Sequence, residues 1–126
     1  RMTYRTDIQV RFNDTDMLGH LNNTAYALYA EQARVMFFHA LGMEKITLIL
    51  AHISLDFRKQ VTFGDDVYVE TTVEKIGNSS VTLLQAIFAN NTLAVETKSV
   101  VVLFDYDAQK PKKIPDELRR GLGVYV

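Results

Sequence analysis

The 126-residue sequence is 48% hydrophobic and 23% charged, lacks cysteine and tryptophan, and carries a formal net charge of -1. The length suits one domain with one core, and the missing cysteines exclude a disulfide framework, a thiolate nucleophile and a cysteine zinc site. With 14 Lys+Arg against 15 Asp+Glu there is no overall positive field for nucleic acid, and no apolar run nears the roughly 18 residues that span a bilayer.

Residues 4 to 13 alternate. Tyr4, Thr6, Ile8, Val10 and Phe12 take one face and Arg5, Asp7, Gln9, Arg11 and Asn13 the other, the period of a half-buried strand. The start, Arg1-Met2-Thr3-Tyr4, runs straight into this strand, so no signal peptide and a cytoplasmic location are expected. A turn-rich stretch, Asp14 to Asn23, follows. From Thr24 to Leu41 there is neither Pro nor Gly, and Gly42 stands where a helix C′ glycine belongs. Asn22 or Asn23 is the expected N-cap, its side-chain oxygen accepting from a free amide of the first turn. Thirteen residues from Ala25 to Leu41 are apolar and cover most of the circumference. A helix apolar nearly all round is buried, so a protein layer must enclose it.

The remaining chain supplies that layer. Ala51, Ile53, Leu55, Phe57, Val61 and Phe63 alternate with polar residues, and Val67 to Val73 continue the pattern after the turn Gly64-Asp65-Asp66. Gly77-Asn78-Ser79 and Asn90-Asn91 mark two further turns around strands at 81–87 and about 93–104. Short turns predict an antiparallel meander. Pro115-Asp116-Glu117-Leu118 opens a short final helix. The expected fold class is thus α+β: residues 1–126 as a single domain, a long buried helix wrapped by a curved antiparallel sheet. Such a sheet leaves an edge strand, which pairing with a second subunit would cover.

The polar residues gather at the helix N-terminus. Asp14 and Asp16 precede an end rich in unpaired N–H groups and partial positive charge, a place able to hold a developing oxyanion. On spacing alone, the two aspartates could equally form and cap a turn.

The run Asp14-Thr15-Asp16-Met17-Leu18-Gly19-His20-Leu21-Asn22-Asn23-Thr24-Ala25-Tyr26, with Tyr29-Ala30-Glu31-Gln32-Ala33-Arg34, resembles the signature of the hotdog-fold thioesterases. The similarity is to the 4-hydroxybenzoyl-CoA thioesterase-like family of acyl-CoA thioesterases, and it covers essentially the whole chain. The resemblance implies a hotdog fold and hydrolysis of an acyl-CoA, or acyl-carrier-protein, thioester without metal or organic cofactor. It implies a homodimer whose interface forms the active site, tetramers being common in the family. Asp16 matches the catalytic carboxylate, as nucleophile or as general base for water. The Asn23 amide matches the oxyanion donor. Gly19 would let the thioester approach the loop backbone, and Tyr26 would pack near the acyl group.

His20 fits the G-H-x-N-N variant and would orient Asp16 or polarise the carbonyl, unless it is structural. An Asn22 side chain is explained by capping as well as by substrate binding. Glu31 is a rival carboxylate roughly 12 Å along the helix from Asn23; the structural reading, an ion pair with Arg34, is favoured. Arg58 and Lys59, or Lys110, Lys112 and Lys113, are candidates to meet CoA phosphates, although charge runs are usually solvated faces. His39 and His52 lie apart from any carboxylate pair, so no metal site is expected. A hotdog hydratase or dehydratase and a non-catalytic acyl-binding module are the competing functions.

Overall fold

The structure, a computed structural model, describes residues 1–126. Strand β1 (Tyr4–Ile8) leads through a 3-10 turn at Phe12–Asp14 to helix α1 (Asn23–Ala40). Strands β2 (Leu48–Phe57), β3 (Val67–Ile76), β4 (Ser80–Ala89) and β5 (Thr92–Asp105) follow, then the two-residue β6 (Lys110–Pro111) and helix α2 (Asp116–Gly123). The strands form an antiparallel sheet ordered β1-β3-β4-β5-β2, with β6 on β5. The hotdog arrangement expected from the sequence is therefore present: a long helix seated on a curved sheet.

Local chemistry sets the boundaries. The Asn22 side chain accepts from Thr24 N–H at 3.0 Å, so Asn22 caps the helix and Asn23 is its first residue. At the other end Gly42 has φ +98, and the Met43 amide donates back to Phe38 at 3.1 Å, closing the last turn. Asn90 and Asn91, at φ 52 and 64, make the tight left-handed turn that joins β4 to β5.

Four expectations need correction. The first strand ends at Ile8, and Phe12, placed inward by the alternation, is exposed; the 3-10 turn has broken the period of two. Only β3, β4 and β5 form the meander, because β2 crosses to the far edge and pairs with β5. The alternation assigned to β2 as far as Phe63 stops at Phe57, and residues 58–63 form a loop that meets the Asp16 segment. Finally, α1 is not enclosed all round. It lies over β1, β3 and β4, leaving Leu28, Val35 and Met36 exposed, as are Leu50 and Phe57 on β2.

Beneath α1 the core is divided. One apolar cluster gathers Ala25, Tyr26, Tyr29 and Ala33 with Val69, Ile87 and Val95; the other gathers Phe37 and Phe38 with Val73, Leu83, Val101 and Leu122 of α2. Between them the register lines up Thr71, Gln85 and Thr97 as direct cross-strand neighbours, all buried. The Gln85 amide donates to the Ala30 carbonyl at 3.0 Å and to the Thr71 hydroxyl at 3.2 Å, so the helix is fastened to the sheet near its middle by a polar contact.

Candidate active site

The Asp16 loop is built as a small hairpin. Thr15 and Leu21 pair, Asp16 N–H donates to the His20 carbonyl at 2.7 Å, and Gly19 N–H donates to the Asp16 carbonyl at 3.1 Å. Gly19 has φ +77, a conformation costly for any residue with a Cβ. A Cβ there would touch nothing within 4 Å, so within the chain the glycine is required by backbone angle rather than by crowding. The loop is sewn to residues 61–63, with Leu21 N–H donating to Val61 at 2.7 Å and Phe63 N–H to Gly19 at 3.1 Å.

Within this loop Asp16 is exposed, and one carboxylate oxygen is already engaged. Its Oδ1 accepts from Leu18 N–H at 2.8 Å and from His20 N–H at 3.1 Å, while Oδ2 has no partner in the chain. One oxygen thus sets the carboxylate's orientation and leaves the other available. His20 contributes to this through its backbone; its imidazole makes no hydrogen bond with Asp16.

Asn23 follows at the first position of α1. Its N–H has no acceptor in the chain, as expected for a first-turn amide. Asn22 holds Thr24 through both its amide and its hydroxyl, at 3.0 and 2.9 Å, so its side chain is committed to capping. Tyr26 is buried, and its hydroxyl accepts from Val61 N–H at 3.1 Å; its ring meets Phe57 edge-on at 5.3 Å. Tyr26 therefore ties the 57–61 segment to the helix. Asn23, Tyr26, Phe57, Arg58, Lys59 and Gln60 line one open cleft of about 370 Å³. Arg58 reaches out of it to Glu96 at 2.7 Å, whereas Lys59 is exposed without an ion pair. Lys112 lies in a different cleft, with Leu41 and Gly42 at the C-terminal end of α1.

The candidate residues are thus brought to one end of the helix but not into one cavity of a single chain. Asp16 lines a separate concavity with Phe12, Asn13, Thr15 and Met17. Around both clefts Phe12, Met17, Leu18, Phe57 and Phe63 are exposed.

Sequence reasoning missed the clamp under the loop. Asp14 is buried and accepts from the Tyr29 hydroxyl at 2.6 Å, from Arg11 N–H at 3.0 Å and from the Arg11 guanidinium at 3.2 Å. Its carbonyl accepts from Asn22 N–H at 2.7 Å. Burial acts to raise the carboxyl's pKa, but the bonds from Tyr29 and Arg11 outweigh it and hold Asp14 below the usual carboxylate range. Burial and the same carboxylate push the Tyr29 phenol well above its ordinary value. The two aspartates divide the work: Asp14 holds the loop's base, and Asp16 presents a free oxygen at its rim. The only hint in the sequence was a tyrosine fifteen residues on, along the helix's buried side.

Glu31 departs from its expected partner. It is exposed, Arg34 is buried, and no ion pair joins them although they lie one turn apart on α1.

A helix seated on a curved antiparallel sheet, with an aspartate loop feeding the helix N-terminus, is the hotdog fold as thioesterases carry it. Residues 10–122 match the family model described as the thioesterase-like superfamily, and the chain belongs to that family. A predicted thioesterase from Bacillus stearothermophilus is 32% identical, with a TM-score of 0.89 over 99% of this chain and 97% of that one. A thioesterase from Thermus thermophilus, solved with coenzyme A and zinc, is 27% identical, with a TM-score of 0.88 over 96% and 92%. The acyl-CoA thioester hydrolase YbgC of Escherichia coli O6:H1 is 25% identical over 123 residues, 91% of this chain and 92% of that protein.

Proposed function

We propose that this protein is a thioester hydrolase acting on acyl-CoA, with Asp16 as its catalytic carboxylate. The observation that carries the reading is the split role of that side chain: Oδ1 is fixed by two loop amides, and Oδ2 is free on the loop that leads into a helix whose first N–H is unpaired. Similarity to enzymes described as acyl-CoA thioesterases supports the substrate class. Lys59, in the cleft with Asn23 and free of any ion pair, supplies positive charge suited to the CoA phosphates, whereas Arg58 beside it is engaged by Glu96.

The chemistry balances without any further reagent. As general base, Asp16 takes a proton from water while the water oxygen bonds to the thioester carbonyl carbon. The Asn23 amide donates to the oxyanion so formed; the C–S bond then breaks, and the thiolate leaves and is protonated. As nucleophile, Asp16 would instead form an acyl anhydride that water cleaves, giving the same acid and thiol. His20 positions Asp16 through its N–H, and Gly19 keeps the loop open to the ligand.

Residues 1–126 form one catalytic domain on this reading, and a second copy completes the pocket. The exposed β2 edge, with Leu50 and Phe57 beside the uncovered flank of α1, supports a homodimer. An acyl group held between the two copies would meet apolar side chains.

Thiol release from a panel of acyl-CoA esters tests the proposal. Asp16→Asn keeps an oxygen for the Leu18 and His20 amides but loses the base, and should lower kcat by about a hundredfold or more. Undiminished turnover would remove Asp16 from the mechanism. Hydration of enoyl-CoA without thiol release would mark a hydratase, and binding without turnover an acyl-binding module.

A further inference from the structure

Two charged side chains are buried in this chain, Asp14 and Arg34. Asp14 has three donors. Arg34 has nothing: it makes no side-chain hydrogen bond and no ion pair, and its Nη1 is buried without a partner. A guanidinium with one nitrogen buried and unpaired is costly, and an acceptor supplied from a second copy would offset that cost. Burial lowers the proton affinity of this arginine, and the nearest opposing influence is Glu31.

Glu31 is exposed, one turn back along the same helix, and pairs with nothing in its own chain. Beside Glu31 on the helix surface Leu28 and Val35 are exposed, and on the edge strand β2 Leu50 is exposed as well. The patch therefore carries an unsatisfied base, a free acid and apolar area side by side. An isologous interface needs that combination, since whatever one copy offers it must also receive.

We propose that Glu31 of each protomer enters the partner's α1 flank and neutralises the partner's Arg34, giving two reciprocal buried ion pairs across the dimer. The inference rests on the dimeric reading above. The midpoint of α1 falls between Glu31 and Gln32, so two antiparallel helices crossing at mid-length bring each Glu31 within about one turn of the partner's Arg34. Carboxylate and guanidinium then meet in a site that the apolar rim closes to water, where a paired charge is satisfied and an unpaired one is not. The pair also fixes the register of the interface, because sliding either helix by a turn strands both charges.

Sedimentation equilibrium on the full chain tests this. Glu31→Gln, an exposed neutral replacement that should fold normally, is expected to raise the dimer Kd at least tenfold. Charge reversal gives the sharper arm. Glu31→Arg and Arg34→Glu should each weaken self-association, while an equimolar mixture of the two should form heterodimers in which both contacts are again opposite in sign. Pairing inside one chain predicts no such rescue. Should Arg34→Glu fail to fold alone, co-expression with tagged Glu31→Arg reads the same complementation. A wild-type dimer whose Kd is unchanged by Glu31→Gln, with no heterodimer preference, overturns the ion pair. A wild type that stays monomeric at high concentration overturns the dimer itself.

Discussion

Tyr29→Phe removes one oxygen from the clamp beneath the aspartate loop and leaves the ring in its cluster. The lost bond, 2.6 Å to the buried Asp14 carboxylate, is of the charged kind, worth about 1.5–3 kcal/mol. Among the remaining donors the Arg11 guanidinium is 72% exposed, so solvent screening leaves it little capacity to compensate. The upper part of the range, ~2–3 kcal/mol, is therefore expected. For a domain of this size that lowers Tm by roughly 8–12 °C. The pH dependence has a definite sign. Asp14's folded pKa lies below its ordinary value, so its contribution is complete above the ordinary carboxylate range and is lost as pH falls through the lowered folded value. The gap between wild type and variant should be widest near neutrality and narrow below about pH 4. Urea unfolding of both proteins at neutral and acid pH gives the measurement. A loss under about 0.5 kcal/mol at neutral pH, or one equally large in acid, would refute the reasoning.

Three further outcomes are expected. Asp16→Ala should lose turnover like Asp16→Asn but also lose about 1–2 kcal/mol of stability, since Leu18 and His20 no longer have their acceptor; thermal melts of the two variants separate chemistry from loop folding. Gly19→Ala should cost about 1 kcal/mol from its positive φ alone, and a much larger fall in Tm would reveal a clash that the open space around it does not suggest. Lys59→Ala should raise KM for acyl-CoA severalfold at low salt with kcat little changed, and leave a thioester lacking the nucleotide unaffected; equal effects on both substrates would remove Lys59 from phosphate binding.

What the sequence conveyed was mostly local. Capping by Asn22, the stop at Gly42 and the Asn90-Asn91 turn each follow from one residue's preference and its neighbours. The position of β2 does not, because its pairing of Ile53 with Ser99 spans 46 residues and is decided by how the whole sheet closes. The apolar circumference of α1 was legible as a demand for burial, but not as a demand met only in part within one chain. At the site, the motif located the loop and the helix start. It left the roles of Asp14 and Asp16 open, since burial and hydrogen-bond partners, not spacing, distinguish a clamp from a reactive group. Tyr26 illustrates the same limit: the motif assigns it to the acyl group, and nothing in its spacing foretells that its hydroxyl accepts from the Val61 N–H.

The polar row of Thr71, Gln85 and Thr97 across the sheet has an energetic meaning. It separates the interior into two dry compartments, and a polar seam admits water at less cost than an apolar one. The end of α1 that carries the aspartate loop belongs to one compartment, and the end packed against α2 to the other. The amide of Gln85 on the Ala30 carbonyl ties the helix to the sheet at the boundary between them. Each end of α1 thus packs on its own apolar cluster, so removing a side chain from one is expected to leave the packing of the other largely intact.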